Sequence, residues 1–142
     1  MTEWLPALAT RLARGEACVL VTVAHTVGST PREAGATMLV DTRSSVGSIG
    51  GGQLEWLSTS AARALLEVGG LPRLMRLALG PSLGQCCGGI VWLVLERIAP
   101  DSAADWQARA DAVAAGRGLR RQLATDERSE EHTSELQSRQ VI

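Results

Sequence analysis

Two adjacent cysteines, Cys86 and Cys87, stand in a glycine-flanked segment and have the side chain best suited to chemistry. A thiolate is both a nucleophile and a soft metal ligand, and flanking glycines leave it accessible. Adjacent cysteines lack the C-x-x-C spacing of a zinc ribbon or of a thioredoxin-type site, and no second His/Cys cluster is present. The pair therefore predicts thiol chemistry or a soft-metal contact, whereas Cys18, inside an apolar run, is expected to be a core residue.

A second glycine-rich segment, residues 47–52, runs directly into a predicted helix. Glycines let a backbone approach a ligand closely, and the free N–H groups at the start of a helix attract anions. The glycine spacing matches neither a P-loop, which ends in Gly-Lys-Ser/Thr, nor the dinucleotide pattern G-x-G-x-x-G. Gly50, Gly51 and Gly52 therefore predict either an anion site or a tight turn that feeds the helix.

The third segment, residues 28–32, reads Gly-Ser-Thr-Pro-Arg. The planar guanidinium of Arg32 has the geometry to fork onto a phosphate or a carboxylate, and the hydroxyl groups of Ser29 and Thr30 would add donors. The alternative interpretation is a Ser/Thr turn with a solvated arginine. His25, at the end of an apolar run, is interpreted as a packed or hydrogen-bonded histidine rather than a ligand.

Hydrophobic periodicity predicts the elements that must position these segments. Three helices are predicted, each with one apolar stripe: Trp4, Leu5, Leu8 and Leu12; Leu54, Leu57, Ala61, Leu65 and Val68; and Ala103, Trp106, Ala110 and Val113. Thr2 is expected to cap the first helix, and Asp101 or Ser102 the last. Strands are predicted at residues 18–24, 37–41, 46–48, 74–79 and 90–96, and residues 25–34 are predicted as a loop.

Together these elements predict a single α+β domain, with a mixed sheet of about five short strands and three helices. Met75, Leu77 and Leu79 are expected on one side of their strand. Residues 90–96, the most apolar segment, are expected to form a central strand that is buried on both faces. The three glycine-rich loops are expected to gather at one edge or end of the sheet.

The composition limits the classes of function. The chain has 142 residues and a formal net charge of -1. We therefore expect no basic surface that would bind nucleic acid or an anionic membrane. Its longest apolar run, residues 90–95, is far shorter than the roughly 20 residues needed to cross a bilayer. The first residues do not resemble a secretory signal, and the cysteines make a poor disulfide framework. We therefore expect one cytoplasmic domain with no membrane span.

The last residues of the chain differ in character from the rest. Residues 128–138 resemble a translated sequencing adapter, and the other interpretation is a polar, disordered terminus. We therefore assign residues 1–127 to the domain and set residues 128–142 aside, including His132, as an artefact or a disordered tail.

The three glycine-rich segments resemble, in order and spacing, those of the N-terminal domain of the XdhC/CoxI family, the xanthine dehydrogenase accessory proteins. The similar stretches are GSTPREAGATMLV at residues 28–40, GSIGGGQLE at residues 47–55 and LGQCCGG at residues 83–89. Each motif is weak alone, but three in the same order are specific. The resemblance extends over nearly all of residues 1–127.

The resemblance implies a chaperone rather than an enzyme with turnover. Members of the family bind molybdenum cofactor (molybdopterin) as cargo, protect its sulfurated form and help insert it into xanthine dehydrogenase or a related molybdenum hydroxylase. The implied partners are that hydroxylase and a cysteine desulfurase, together with a second copy of the chain in a homodimer.

The resemblance also implies roles for individual residues. Cys87, with Cys86 as second choice, is assigned to the molybdenum end of the cofactor. Arg32, Ser29 and the loop of Gly50, Gly51 and Gly52 are assigned to phosphate or pterin contacts. Glu55, one turn into the helix, is assigned either to the pterin edge or to stabilising the helix N-terminus.

Two departures from the family pattern bear on these roles. Gln53 stands where relatives often have His or Cys, which puts a metal contact there in doubt. Full members also carry a second, Rossmann-like domain, which this sequence does not encode.

Two other classes of function compete with the chaperone. A thiol oxidoreductase or sulfur carrier would use Cys86 and Cys87 directly, and would show a low thiol pKa and a persulfide without pterin. A dimerisation module with buried cysteines would lose stability, but no ligand affinity, on Cys87→Ser.

Overall fold

The computed structural model describes residues 2–80, 88–123 and 138–141. The helices are α1 (Trp4–Ala13), α2 (Gly52–Val68) and α3 (Ala103–Ala114), the last preceded by a 3-10 turn at Pro100–Ser102. The strands are β1 (Cys18–Val27), β2 (Thr37–Val40), β3 (Ser45–Gly47), β4 (Arg73–Ala78), β5 (Ile90–Ile98), β6 (Arg120–Leu123) and β7 (Ser138–Val141). None of these described helices is long and apolar enough to cross a membrane.

Five strands form one open sheet in the order β3-β2-β1-β5-β4. Three helices and this sheet confirm the predicted α+β domain. The prediction of a mixed sheet is wrong for the described strands, because every neighbouring pair is antiparallel. Parallel neighbours need a long crossover, whereas the connections from β1 to β2 and from β2 to β3 are short. The middle strand is β1, and β5 lies between it and β4.

The sheet has an apolar core on each face. Successive residues of β1 alternate between the faces, as the pleat requires. On one face Val21 and Leu93 pack with Leu54 and Leu65 of α2. The second face is covered by α1 and α3, whose buried residues include Leu8 and Trp106. The predicted apolar faces of α1 and α3 are confirmed, because the core on this second face contains their residues Trp4, Leu5, Leu8, Leu12, Ala103, Trp106, Ala110 and Val113.

The buried face of α2 differs from the predicted stripe in its middle, where Leu57 and Ala61 are only half-buried, and at its far end. The buried residues are Leu54, Ser58, Ala62 and Leu65, which recur at helical spacing. Val68 is 85% exposed, because it lies one turn beyond the last buried position.

The end of β1 differs from the prediction. β1 continues to Val27, so His25 lies in the strand and the loop begins only at Gly28. The reason is pairing: His25 lies opposite Trp92, and Val27 opposite Ile90, after an irregularity that follows Val23. β4 has the predicted facing, since Met75, Leu77 and Leu79 all pack into the core beneath α2.

Of the predicted cap residues, Ser102 lies at the N-cap position of α3, whereas Thr2 lies one residue before that of α1. Glu3 rather than Thr2 is the N-cap residue of α1, and the carbonyl of Thr2 accepts a 3.0 Å bond from the N–H of Leu5. Ser102 is the N-cap residue of α3, but its hydroxyl donates to the carbonyl of Ala99 at 2.7 Å instead of capping.

The antiparallel pair of strands β6 and β7 was not predicted. Both guanidinium nitrogens of Arg121 donate to the carboxylate of Glu96, at 3.0 and 2.7 Å, and so attach β6 to β5. β7 lies within the residues that were set aside as a tail.

The antiparallel order positions the glycine-rich segments. Since β2 is antiparallel to β1 and to β3, and β5 is antiparallel to β1 and to β4, the strands β1, β3 and β4 all run in the same direction. Each of these three strands is followed by a glycine-rich segment. The three segments therefore leave the sheet at the same end.

Candidate functional site at the glycine loops

Three loops meet at this end of the sheet: the first glycine loop (residues 28–32), the second glycine loop (residues 47–52) and the third glycine loop (residues 84–89). Residues 81–87 lie outside the described residues, so Gly88 and Gly89 represent the third glycine loop here. The predicted gathering of the loops at one end is confirmed for these parts.

Gly89 brings the first and third glycine loops together. A Cβ atom at Gly89 would collide with the carbonyl oxygen of Ser29 and would lie 2.7 Å from the carbonyl oxygen of Val27. The carbonyl of Gly89 also accepts a 2.7 Å bond from the N–H of Leu79. Only a residue without a side chain permits this approach of backbone to backbone.

Gly50 and Arg32 bring the first and second glycine loops together. A Cβ atom at Gly50 would lie 2.5 Å from Cγ of Pro31, so the proline ring packs directly on the glycine backbone. Nη1 of Arg32 donates to the carbonyl oxygen of Ser48 at 3.3 Å. The hydroxyl of Thr30 donates to the carbonyl of Arg32 at 3.1 Å, which fixes the turn that presents the arginine.

Glu55 holds the second glycine loop from inside. Its Oε2 atom accepts bonds from the hydroxyl of Ser48 at 2.8 Å, the N–H of Ile49 at 3.3 Å and the N–H of Gly51 at 2.5 Å. The N–H of Gly50 donates to the hydroxyl oxygen of Ser48 at 3.1 Å. An internal carboxylate therefore occupies the position where the sequence suggested an external anion.

The contacts of the second glycine loop bear on the anion site that was predicted there. The N–H groups of Ile49 and Gly51 donate to Glu55 of α2, and that of Gly50 donates to Ser48, so these three N–H groups already have partners. Of the two roles considered for Glu55, the described contacts favour stabilisation of the loop at the helix start. The roles assigned to Arg32, Ser29 and the three glycines toward a ligand stay predictions.

The outer surface of the loops remains accessible. Ser29 is exposed and Arg32 is half-buried. Among the residues that the structure describes, a Cβ atom at Gly51 or at Gly88 would meet nothing within 4 Å. A planar or bulky group can therefore lie directly on the backbone at these two glycines.

The predicted cysteine site lies outside the described residues, because both Cys86 and Cys87 fall within residues 81–87. Cys18 is buried in the core, as predicted, and burial raises the pKa of its thiol to about 11. Within residues 2–80, 88–123 and 138–141, no three His, Cys, Asp or Glu side chains are grouped to hold a metal ion.

His25 has the packing role that the sequence suggested. Its ring lies 5.1 Å from the ring of Trp92, at an angle of 49°. The guanidinium of Arg76 lies 5.7 Å from the centre of the same indole. The histidine is exposed, so it packs on Trp92 at the surface near the end of β1 rather than within the core.

Sequence reasoning missed two residues of the site. Ser48 joins Glu55 to the backbone of Gly50, but a serine within a glycine-rich turn gave no sign of this role. Trp56 is 65% exposed directly after Glu55 in the first turns of α2. An exposed indole beside a glycine loop was detectable as an aromatic residue outside the predicted apolar stripe.

A groove of about 690 Å³ lies at the opposite end of the sheet, lined in part by Arg11, Arg14 and Arg43. Nε of Arg11 donates to Asp41 at 2.6 Å. Although burial opposes ionisation, backbone bonds from Arg43 and Ser44 and the bond from Arg11 hold the pKa of Asp41 at about 2. The carboxylate is thus a structural anchor of the turn between β2 and β3.

The chain is similar to known proteins over much of its length. Its fold is similar to the crystal structure of a xanthine dehydrogenase from Bacillus halodurans, with a TM-score of 0.70 and 27% sequence identity. This similarity covers 82% of the chain and 37% of the other protein. No curated protein matches the chain.

A family match includes the first two glycine loops. Residues 11–77 match the XdhC and CoxI family, and residues 28–32 and 47–52 lie inside that range. The third glycine loop lies outside it. The predicted resemblance is thereby confirmed: residues 11–77 carry the sequence pattern of the XdhC and CoxI family.

Proposed function

We propose that this chain is the cofactor-binding part of a maturation chaperone for xanthine dehydrogenase or a related molybdenum hydroxylase. Its cargo is molybdenum cofactor, which it protects in the sulfurated form and helps to insert. The observation that carries this proposal is the meeting of the glycine loops at one end of the sheet, within a range that matches the XdhC and CoxI family. The chain acts as a carrier without turnover.

The chemistry of the loops suits this cargo. The cofactor combines a phosphate, a planar pterin and a dithiolene that holds molybdenum. Arg32 offers a guanidinium for the phosphate, and the exposed hydroxyl of Ser29 adds a donor beside it. The bare backbone at Gly51 and Gly88 leaves room for a flat ring system to approach.

The molybdenum end of the cargo is assigned to Cys87, with Cys86 as the second choice. A thiolate is a soft ligand that suits molybdenum held by sulfur. Gly88, which follows Cys87 in the sequence, is exposed, and Gly89 contacts the first glycine loop. Cys87 directly precedes Gly88 in the sequence, and this adjacency supports the assignment.

The partners of the chaperone follow from the same proposal. The hydroxylase receives the cofactor, a cysteine desulfurase supplies its sulfur, and a second copy of the chain forms a homodimer. The similarity to the Bacillus halodurans protein, which is described as a xanthine dehydrogenase, supports the first of these partners.

The test is co-expression of the chain with molybdenum cofactor synthesis, followed by release and fluorescence detection of the oxidised pterin. The wild-type chain is expected to retain pterin, and Cys87→Ala to lose most of it. Cys86→Ala tells the two thiols apart, and Cys18→Ala is the control, because Cys18 is buried in the core.

Two results would contradict the proposal. If the folded wild-type chain never retains pterin, the proposed chaperone function is wrong. A persulfide on Cys86 or Cys87 that forms without any pterin favours the sulfur carrier instead.

A further inference from the structure

The chain has four tryptophans and no phenylalanine or tyrosine, so each indole is notable. Trp4 and Trp106 are buried and form an edge-to-face pair with ring centres 6.3 Å apart. Trp92 packs with His25 and Arg76. Trp56 is 65% exposed, which is unusual because tryptophan is highly buried on average.

The position of Trp56 directs it toward the glycine loops. Trp56 is the fifth residue of α2, which begins at Gly52. Side chains on a helix lean toward its N-terminus and cover the preceding turn. This tendency directs the indole toward the first turn of α2, where the second glycine loop enters the helix.

The neighbours of Trp56 on the helix surface are polar or bare. Gly52 and Gln53 precede it by one turn on the same face, Ser60 follows one turn later, and all three are exposed. Three other large apolar residues are exposed among the described ones: Val68 and Leu71 lie at or beyond the far end of α2, and Val27, an aliphatic residue, ends β1 before the first glycine loop. Trp56 is thus a single aromatic surface beside open backbone rather than part of a broad apolar face.

This environment favours a small planar ligand over a protein. Protein interfaces are built around clusters of apolar anchors, whereas a ring stacks on one indole and one stretch of bare backbone. The open space at Gly51 supplies that backbone, since a Cβ atom there would meet nothing within 4 Å. The amide of Gln53 has both a donor and an acceptor for the edge of a heterocycle.

We propose that Trp56 stacks on the planar heterocycle of the cargo and that Gln53 bonds to its edge, an inference that rests on the proposed function. Stacking between a base and an aromatic side chain contributes enough that its removal weakens binding by about tenfold or more. The second glycine loop and α2 then recognise the pterin class of ring.

The experiment titrates the purified chain with free pterin and measures its dissociation constant by fluorescence. Trp56→Ala is expected to raise that constant about tenfold, and Trp56→Phe to restore most of the affinity, because it keeps an aromatic face. Ser60→Ala is the matched control on the same exposed face and is expected to bind like wild type.

The outcomes separate this inference from the proposed function. Equal affinity of Trp56→Ala and wild type overturns the stacking role, as does a wild-type chain that does not bind free pterin. If the co-expressed wild-type chain still retains molybdopterin in either case, the chaperone function stands and only the inference fails. If nothing is retained, both fail.

Discussion

The contacts of Glu55 favour one of the two roles that the sequence leaves open for it. A carboxylate near a helix start was expected either to meet a ligand or to favour the helix dipole. Its Oε2 atom accepts three bonds from the second glycine loop, from Ser48, Ile49 and Gly51. The motif could be seen in the sequence, but the direction of the side chain depended on the fold of the loop.

Removal of this carboxylate should weaken the loop. Glu55→Ala leaves two backbone N–H groups and a hydroxyl without their partner, so we expect a loss of about 1–3 kcal/mol in the free energy of unfolding. Glu55→Gln should cost less, because an amide oxygen still accepts, although bonds to a neutral group are weaker. Urea denaturation measures both.

Glu67 provides the control for this prediction, since it is an exposed acid on the same helix. Glu67→Ala should change the free energy of unfolding by no more than about 0.5 kcal/mol. If Glu55→Ala proves as mild as Glu67→Ala, the carboxylate does not hold the loop.

At the scale of elements, the periodicity of the sequence predicted type and facing better than ends. The apolar faces of α1 and α3 were predicted because their residues recur at helical spacing and each packs on the sheet. The predicted end of β1 was wrong. Pairing of His25 and Val27 with β5 extends the strand through residues that have no apolar alternation. Long-range pairing of this kind has no local sequence signal.

The junction between β5 and the first glycine loop supplies a prediction. Gly89→Ala should destabilise the protein by about 1–3 kcal/mol, because the added methyl group meets the backbone oxygens of Ser29 and Val27, which have no freedom to move aside. The measurement is the thermal unfolding midpoint.

Gly80→Ala is the comparison for Gly89→Ala. A Cβ atom at Gly80 would meet nothing within 4 Å. This variant should therefore unfold close to the wild-type temperature. Equal midpoints for the two variants would mean that Gly89 does not pack tightly on the first glycine loop.

At the scale of the whole molecule, strand direction explains why the site exists. The strands β1, β3 and β4 share one direction, so the glycine loops that follow them meet at one end. The sequence predicted that the loops gather, but not that the sheet is antiparallel or that β1 is its middle strand. Strand order depends on contacts between distant residues, which a local pattern does not contain.

The location of the site at this end also separates it from the groove that contains Asp41. That groove lies beside the start of β1 and the turn after β2, at the opposite end of the sheet. The two ends carry different arginines, Arg32 at the glycine loops and Arg11 at the groove, so substitution of one tests its own end alone.

The most direct test of the account is therefore the molybdopterin content of the co-expressed chain when Arg32 is replaced. We expect Arg32→Ala to retain less than about a tenth of the wild-type pterin, since a charge-assisted bond to phosphate contributes roughly 1.5–3 kcal/mol. Arg73→Ala, at an exposed position on β4, should retain the wild-type amount. Equal retention by both variants would contradict the placement of the cofactor at the glycine loops.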